Sequence, residues 1–161
     1  MNPFKFKLTV AAAVLATCAA TSIAYASDTS VSLPVTGFQY FDAGVGPLKI
    51  SPAYGNPQKG AHSTFVKLPA GFVSPLHTHS GDYYGVVISG VVANAPTAEE
   101  ADIALAPGSY WFQKGKENHV TKCLSANECV VFITQPSKFD YIPADSAAAG
   151  KDHKKAHGDA Q

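Results

Sequence analysis

His77 and His79 stand two residues apart in Leu76-His77-Thr78-His79, between the apolar Phe72-Val73 and the β-prone run from Tyr83 to Val92. In an extended strand, alternate side chains share a face, so both imidazoles point the same way and can chelate one metal ion. Neutral imidazole is the commonest protein ligand for transition metals near pH 7. The plain alternative is a pair of surface histidines on an edge strand. The hydrophobic runs on either side, in place of a polar loop, favour chelation.

The elements that must carry such a pair are strands. Ala61 to Leu68 alternates, with His62, Thr64, Val66 and Leu68 on one face and Ser63, Phe65 and Lys67 on the other. His62 is a lone histidine and is assigned a structural or pocket-lining place. Val31 to Phe41 reads as an edge strand or arm, Leu48-Lys49-Ile50 as the start of a short strand, and Pro52 to Gly60 as a loop. Ser109 to Gln113 is an aromatic strand, Val130 to Thr134 a buried one, and Phe139 to Ile142 a last one. Ala95 to Ala106 is a polar connection whose Glu99, Glu100 and Asp102 are expected to form a solvated face rather than a calcium site. Many short strands with Gly and Pro turns give an all-β class.

Longer spacings carry a resemblance. Gly71, five residues, His77-x-His79, three residues, position 83, six residues and Gly90 together resemble the first motif of the cupin superfamily. That motif carries Glu where this chain has Tyr83. Gln113-Lys114-Gly115-Lys116-Glu117-Asn118-His119 resembles the second cupin motif, with Gln in place of Pro and one extra residue between Gly115 and His119. Asp82 to Val87 and Pro107 to Gln113 also resemble small bacterial cupins, and these resemble the cupin half of ChrR-type anti-sigma factors. The likeness spans about residues 31–142. It implies a double-stranded β-helix, or jelly-roll, barrel with a pocket at one end.

The resemblance also implies a three-nitrogen metal site of His77, His79 and His119. Candidates for a fourth ligand stand in the order none, Glu117, Asp82, Tyr83. Asp82 would need a bulge at Gly81 to turn inward, and a phenol with a pKa near 10 is a weak ligand. Such a site suits one divalent transition metal: Fe, Zn, Ni, Cu or Mn. Tyr84, Tyr110 and Phe112, with Tyr83 and Trp111, are candidates for the pocket wall. The implied activities are a metal-dependent dioxygenase of a small organic molecule, a binding or sensing module without turnover, or a cupin that has lost its metal. Small cupins are often homodimers, and that too is implied here.

The 161 residues suit one domain plus ends, and 46% hydrophobic content supplies a core. Twelve basic residues balance twelve acidic ones, so nucleic acid is not an expected partner. All the basic residues are Lys, which removes bidentate Arg clamps. Residues 1–26 have the form of a secretory signal peptide: Lys5 and Lys7, an apolar run from Leu8 to Ala20, and a small-x-small site at Ala24-Tyr25-Ala26. Cleavage after Ala26 would give a periplasmic or secreted protein with no stable membrane insertion. Cys123 and Cys129 would then sit in an oxidising compartment, and a disulfide closing their short hairpin is expected. The domain runs over 27–143, and 144–161 reads as a disordered tail.

Overall fold

The computed structural model describes residues 29–144. The segments assigned to a signal peptide and, from residue 145 onward, to a tail lie outside the described residues. Ten strands follow a short 3-10 turn at Val35–Gly37: β1 Phe41–Asp42, β2 Lys49–Gly55, β3 His62–Leu68, β4 His77–Thr78, β5 Tyr83–Ser89, β6 Val92–Ala95, β7 Tyr110–Gln113, β8 Val120–Cys123, β9 Cys129–Gln135 and β10 Ile142–Pro143. No described helix is long and apolar enough to cross a membrane.

One sheet has six strands in the order β1-β2-β3-β9-β5-β7, all antiparallel. Facing it are two antiparallel pairs, β10-β4 and β6-β8. Single bridges at His77 to His119 and Val73 to Lys122 join the pairs along one line. Two packed antiparallel layers with long-range pairings make the jelly roll. The alternation read in β3 holds: His62, Thr64 and Leu68 are buried, and the intervening residues less so. Leu68, Val87, Val92 and Val131 form the core with Tyr83, Trp111 and the two cysteines. Each fully buried Val or Leu of this kind contributes about 1.5–3 kcal/mol.

The amino-terminal segment is only partly the expected strand. Its aromatic residues lie on the outer face of the large sheet, Phe38 4.5 Å from Phe65 and Phe65 4.8 Å from Phe132 between ring centres. Cys123 and Cys129 are bonded, with Cα atoms 5.8 Å apart. Gly90, at φ +78°, gives this bond room: a Cβ there would lie 2.6 Å from Cys129 Sγ. The acidic cluster of the 95–106 connection is not wholly solvated. Asp102 pairs at 2.8 Å with the buried Lys122, whose ammonium also donates to the Ala98 carbonyl. A buried Lys is costly unless paired, so this pair pins the connection to β8.

Candidate metal centre

His77 and His119 are direct neighbours across the two motifs. The His77 N–H donates to the His119 carbonyl at 3.1 Å, and the reverse bond is 2.9 Å. Residues exchanging both bonds in an antiparallel pair carry side chains on the same face, and their rings lie 4.1 Å apart. His79 continues the β4 face and reaches both, at 5.0 and 5.1 Å between ring centres. Each of the three offers one ring nitrogen, and these nitrogens lie within 4.8 Å of one another. All three residues are buried.

The second nitrogen of each ring is engaged in a way that fixes the tautomer. His77 Nδ1 donates to the Pro75 carbonyl at 2.8 Å, His119 Nδ1 to the Glu117 carbonyl at 3.3 Å, and His79 Nδ1 to the Asp140 carbonyl. A proton on each Nδ1 leaves the Nε2 lone pairs as the possible ligand atoms, that of His119 also within 3.4 Å of the Tyr83 hydroxyl, and orienting bonds of this type accompany metal-ligating histidines. Burial pushes the His77 imidazole down to about 4 and His119 to about 3, with the neighbouring imidazoles adding to the shift. His79 is also lowered by burial. The cluster is therefore neutral at pH 7, the state a metal requires. Three buried neutral imidazoles with oriented lone pairs fit a divalent transition metal, His77, His79 and His119 being the residues that would hold it.

Among the described residues no carboxylate joins them as a further ligand. Glu117 is exposed and contributes its carbonyl, not its acid group. Asp82 faces the second motif instead: it accepts from the Gly115 N–H at 2.7 Å and pairs with Lys114. These bonds hold its carboxyl below the usual range. Gly115 is needed at this contact, since a Cβ would lie 2.9 Å from the Ser80 carbonyl oxygen and the Gly81 carbonyl carbon. Gln113 takes over what Pro would do by stiffness, donating to the Lys114 and Glu117 carbonyls. The extra residue is absorbed by Lys116, in the left-handed region at φ 67°. Tyr83 is buried with its hydroxyl 3.4 Å from His119 Nε2. Desolvation raises its pKa to about 12, so it stays a neutral phenol.

A cavity of about 460 Å³ opens beside the cluster, lined by His77, His79, Tyr83 and Trp111 together with Leu48, Val66, Leu68, Phe72, Val131 and Ile133. Tyr84, Tyr110 and Phe112, expected in the pocket wall, are not there. They are 44%, 58% and 45% exposed on the outer face of the large sheet. Strand parity is the reason: β5 and β7 pair with Tyr83 opposite Gln113 and Gly85 opposite Trp111, and these positions face inward. The residues that sequence reasoning missed lie further on. Tyr141 stacks on His77 at 4.3 Å, and Phe139 lies 5.5 Å from His79. Asp140, between them, orients His79. The sequence places Phe139 to Ile142 in a last strand, which the structure confines to Ile142–Pro143, and gives no sign of this contact.

The fold, with the two motifs brought together at one end of it, is the cupin fold. Solved structures agree: KdgF from Halomonas sp. (19% identity, 67% of this chain and 94% of that one, TM-score 0.52) and an RmlC-like cupin from Ralstonia eutropha (17%, 81% and 90%, 0.54). The polyketide cyclase RemF from Streptomyces resistomycificus has the same fold (13%, 76% and 94%, 0.55). Residues 43–160 match the family described as Domain of unknown function (DUF4437), and the chain belongs to it. No curated protein matches the sequence.

Proposed function

We propose that this chain is an exported cupin that holds one divalent transition metal on His77, His79 and His119 and acts through it on a small organic molecule in the adjoining cavity. The observation that carries this reading is the three buried imidazoles, each with Nδ1 on a backbone carbonyl and a lone pair left over. When bound, such a metal supplies Lewis-acid polarisation or a site for dioxygen. The chain's own residues exclude water with the apolar wall, orient the ligating rings through Pro75, Asp140 and Glu117, and keep Tyr83 as a neutral hydroxyl beside His119. An oxygenase is the reaction class favoured for the metal-loaded protein. The amino-terminal 1–26 pattern and the Cys123–Cys129 bond support export.

Binding without turnover is the second reading. What supports it is that burial works against proton transfer by the described groups facing the cavity: the imidazoles of His77 and His79 are pushed down and the Tyr83 phenol up. Elemental analysis and zinc titration of the purified protein test the metal. About one ion per chain is expected in the wild type. Losing an orienting partner alone costs about 10–100-fold in affinity, so His119→Ala should cost at least that. Metal-free wild type that takes up no zinc, iron, copper, nickel or manganese would overturn the proposal. Dioxygen consumption by loaded protein separates the two readings.

A further inference from the structure

We propose that the metal-loaded cavity takes a small organic monoanion with an apolar body, and that the metal-free cavity does not. The inference rests on the reading of His77, His79 and His119 as a metal site, and it adds the charge and character of the molecule that enters. A ligating imidazole is neutral, so three of them leave the double charge of a divalent metal unreduced. The ion would be the largest local charge, set in a buried cluster. The Asp140 carboxylate meets part of that charge. Its Oδ1 lies 3.9 Å from His79 Nδ1 and accepts from the Ser80 N–H at 2.9 Å. Asp82 is answered by Lys114 at 3.3 Å, and Glu117 is exposed. Two positive charges against one negative leave a single positive charge over.

His77 and His79 belong to the cavity wall as well as to the cluster, so a molecule in the cavity lies against that charge. The described wall offers it no other ion: it contains no Lys, Asp or Glu, and the chain contains no Arg. Leu48, Val66, Phe72, Val131 and Ile133 supply an aliphatic and aromatic lining. The volume of about 460 Å³ falls among pockets that bury drug-sized ligands. The apolar wall acts on an anion in opposite senses in the two states. Without metal, the anion sheds its hydration and meets no cation, a large cost. With metal, the same low-dielectric surroundings strengthen its attraction to the ion. A neutral molecule gains little from the charge, and a dianion buries a second charge that nothing answers. An apolar monoanion suits both the ion and the wall.

Calorimetry on the full chain at neutral pH tests this, first on protein stripped of metal with chelator and then on protein loaded with one equivalent of zinc. The probes share one skeleton: 2-naphthoate, 2-naphthamide and 2,6-naphthalenedicarboxylate. Naphthoate should bind the zinc-loaded protein at least about tenfold tighter than the metal-free protein, an ordinary size for coupling between two ligands. Saturating naphthoate should tighten zinc by the same factor, since the coupling is reciprocal. The amide should gain less than about threefold from zinc. The dicarboxylate should bind the loaded protein at least about tenfold more weakly than naphthoate. Tyr83→Glu sets a carboxylate beside His119, where the phenol hydroxyl now lies 3.4 Å from Nε2. Zinc should still bind that variant, and the naphthoate gain should fall below about threefold. If the variant does not fold, the wild-type comparison decides alone. Equal naphthoate binding with and without zinc, a gain shared by the amide, preference for the dicarboxylate, or binding of no probe overturns the inference. So does ionisation of Tyr83 on zinc addition, read by ultraviolet difference absorption, because the chain would then supply the anion itself. Zinc uptake without the naphthoate gain sinks this inference and leaves the metal site standing; failure to take up zinc removes both.

Discussion

The β5 and β7 strands carry aromatic side chains on both faces, and the two faces share almost nothing else. Tyr83 and Trp111 point into the barrel, buried, one beside His119 and the other in the cavity wall. Tyr84, Tyr110 and Phe112 lie one position away along the same strands and pack on one another at the surface, Tyr84 5.3 Å from Phe112. Composition treats the two sets alike. What separates them is a period of two, fixed by pairing Tyr83 with Gln113. Burial, hydrogen bonding and proton affinity follow from parity, not from residue type.

The sharpest way to break the comparison is to truncate adjacent residues on opposite faces. Trp111→Ala should cost about 3–5 kcal/mol in urea denaturation, as for other buried aromatic truncations. Tyr110→Ala, its neighbour, should cost under about 1 kcal/mol. Similar losses for both would mean that the outer aromatics are buried in solution by another contact.

Gly85 tests the inner face from the opposite strand. Gly85→Ala places a Cβ against the Trp111 ring, and overpacking of this kind costs about 1–3 kcal/mol. In a Trp111→Leu background the penalty should largely vanish, and a double-mutant cycle measures that coupling. No such coupling is expected between Gly85 and Phe112.

Acid separates the faces by a third route. The folded pKa of His77, about 4, and of His119, about 3, lie below the unfolded value near 6.5. Between those values the unfolded chain binds protons that the folded chain refuses. Stability of the metal-free protein should therefore be level above about pH 6.5 and fall as the pH drops toward 4. The same depression means that folded protein keeps its imidazoles ready for metal well below pH 6.5. Urea midpoints across this range check the slope, and His77→Gln with His119→Gln should flatten it. Tyr84→Ser should leave it unchanged.

The smallest effect is expected from Tyr83→Phe. It removes a hydroxyl that only grazes His119 at 3.4 Å, and zinc affinity should change by less than about threefold, roughly the weight of one poor hydrogen bond. A collapse of zinc binding would make the phenol a ligand.

Much of the molecule could be read from residue order, and the failures have a common cause. The all-β class, the face of β3, the His-x-His pair and the Cys123–Cys129 bond all rest on local rules: alternation, spacing and a short loop. His119 was reachable because a motif stood in for a long-range contact. The pocket wall was reachable only in part: Tyr83 and Trp111 stand in it, but Tyr84, Tyr110 and Phe112 do not, because the parity of β5 and β7 depends on which residues pair across the sheet. Spacing puts Glu117 on the face of His119 and makes it the next candidate after no fourth ligand at all, yet the structure presents its carbonyl, not its carboxylate, to the His119 ring. Asp140 and Tyr141 were invisible, since nothing in their neighbourhood announces a contact with residues 61 and 64 positions earlier.

That last contact has a consequence in time. The carbonyl that orients His79 belongs to Asp140, and the ring stacked on His77 to Tyr141. Both leave the ribosome after every ligating histidine. A nascent chain can expose its three imidazoles early, but their rings are not aligned until β10 closes against β4. Loading should therefore follow completion of the chain, because the ligand set is aligned by its last strand rather than by the segments that carry the ligands.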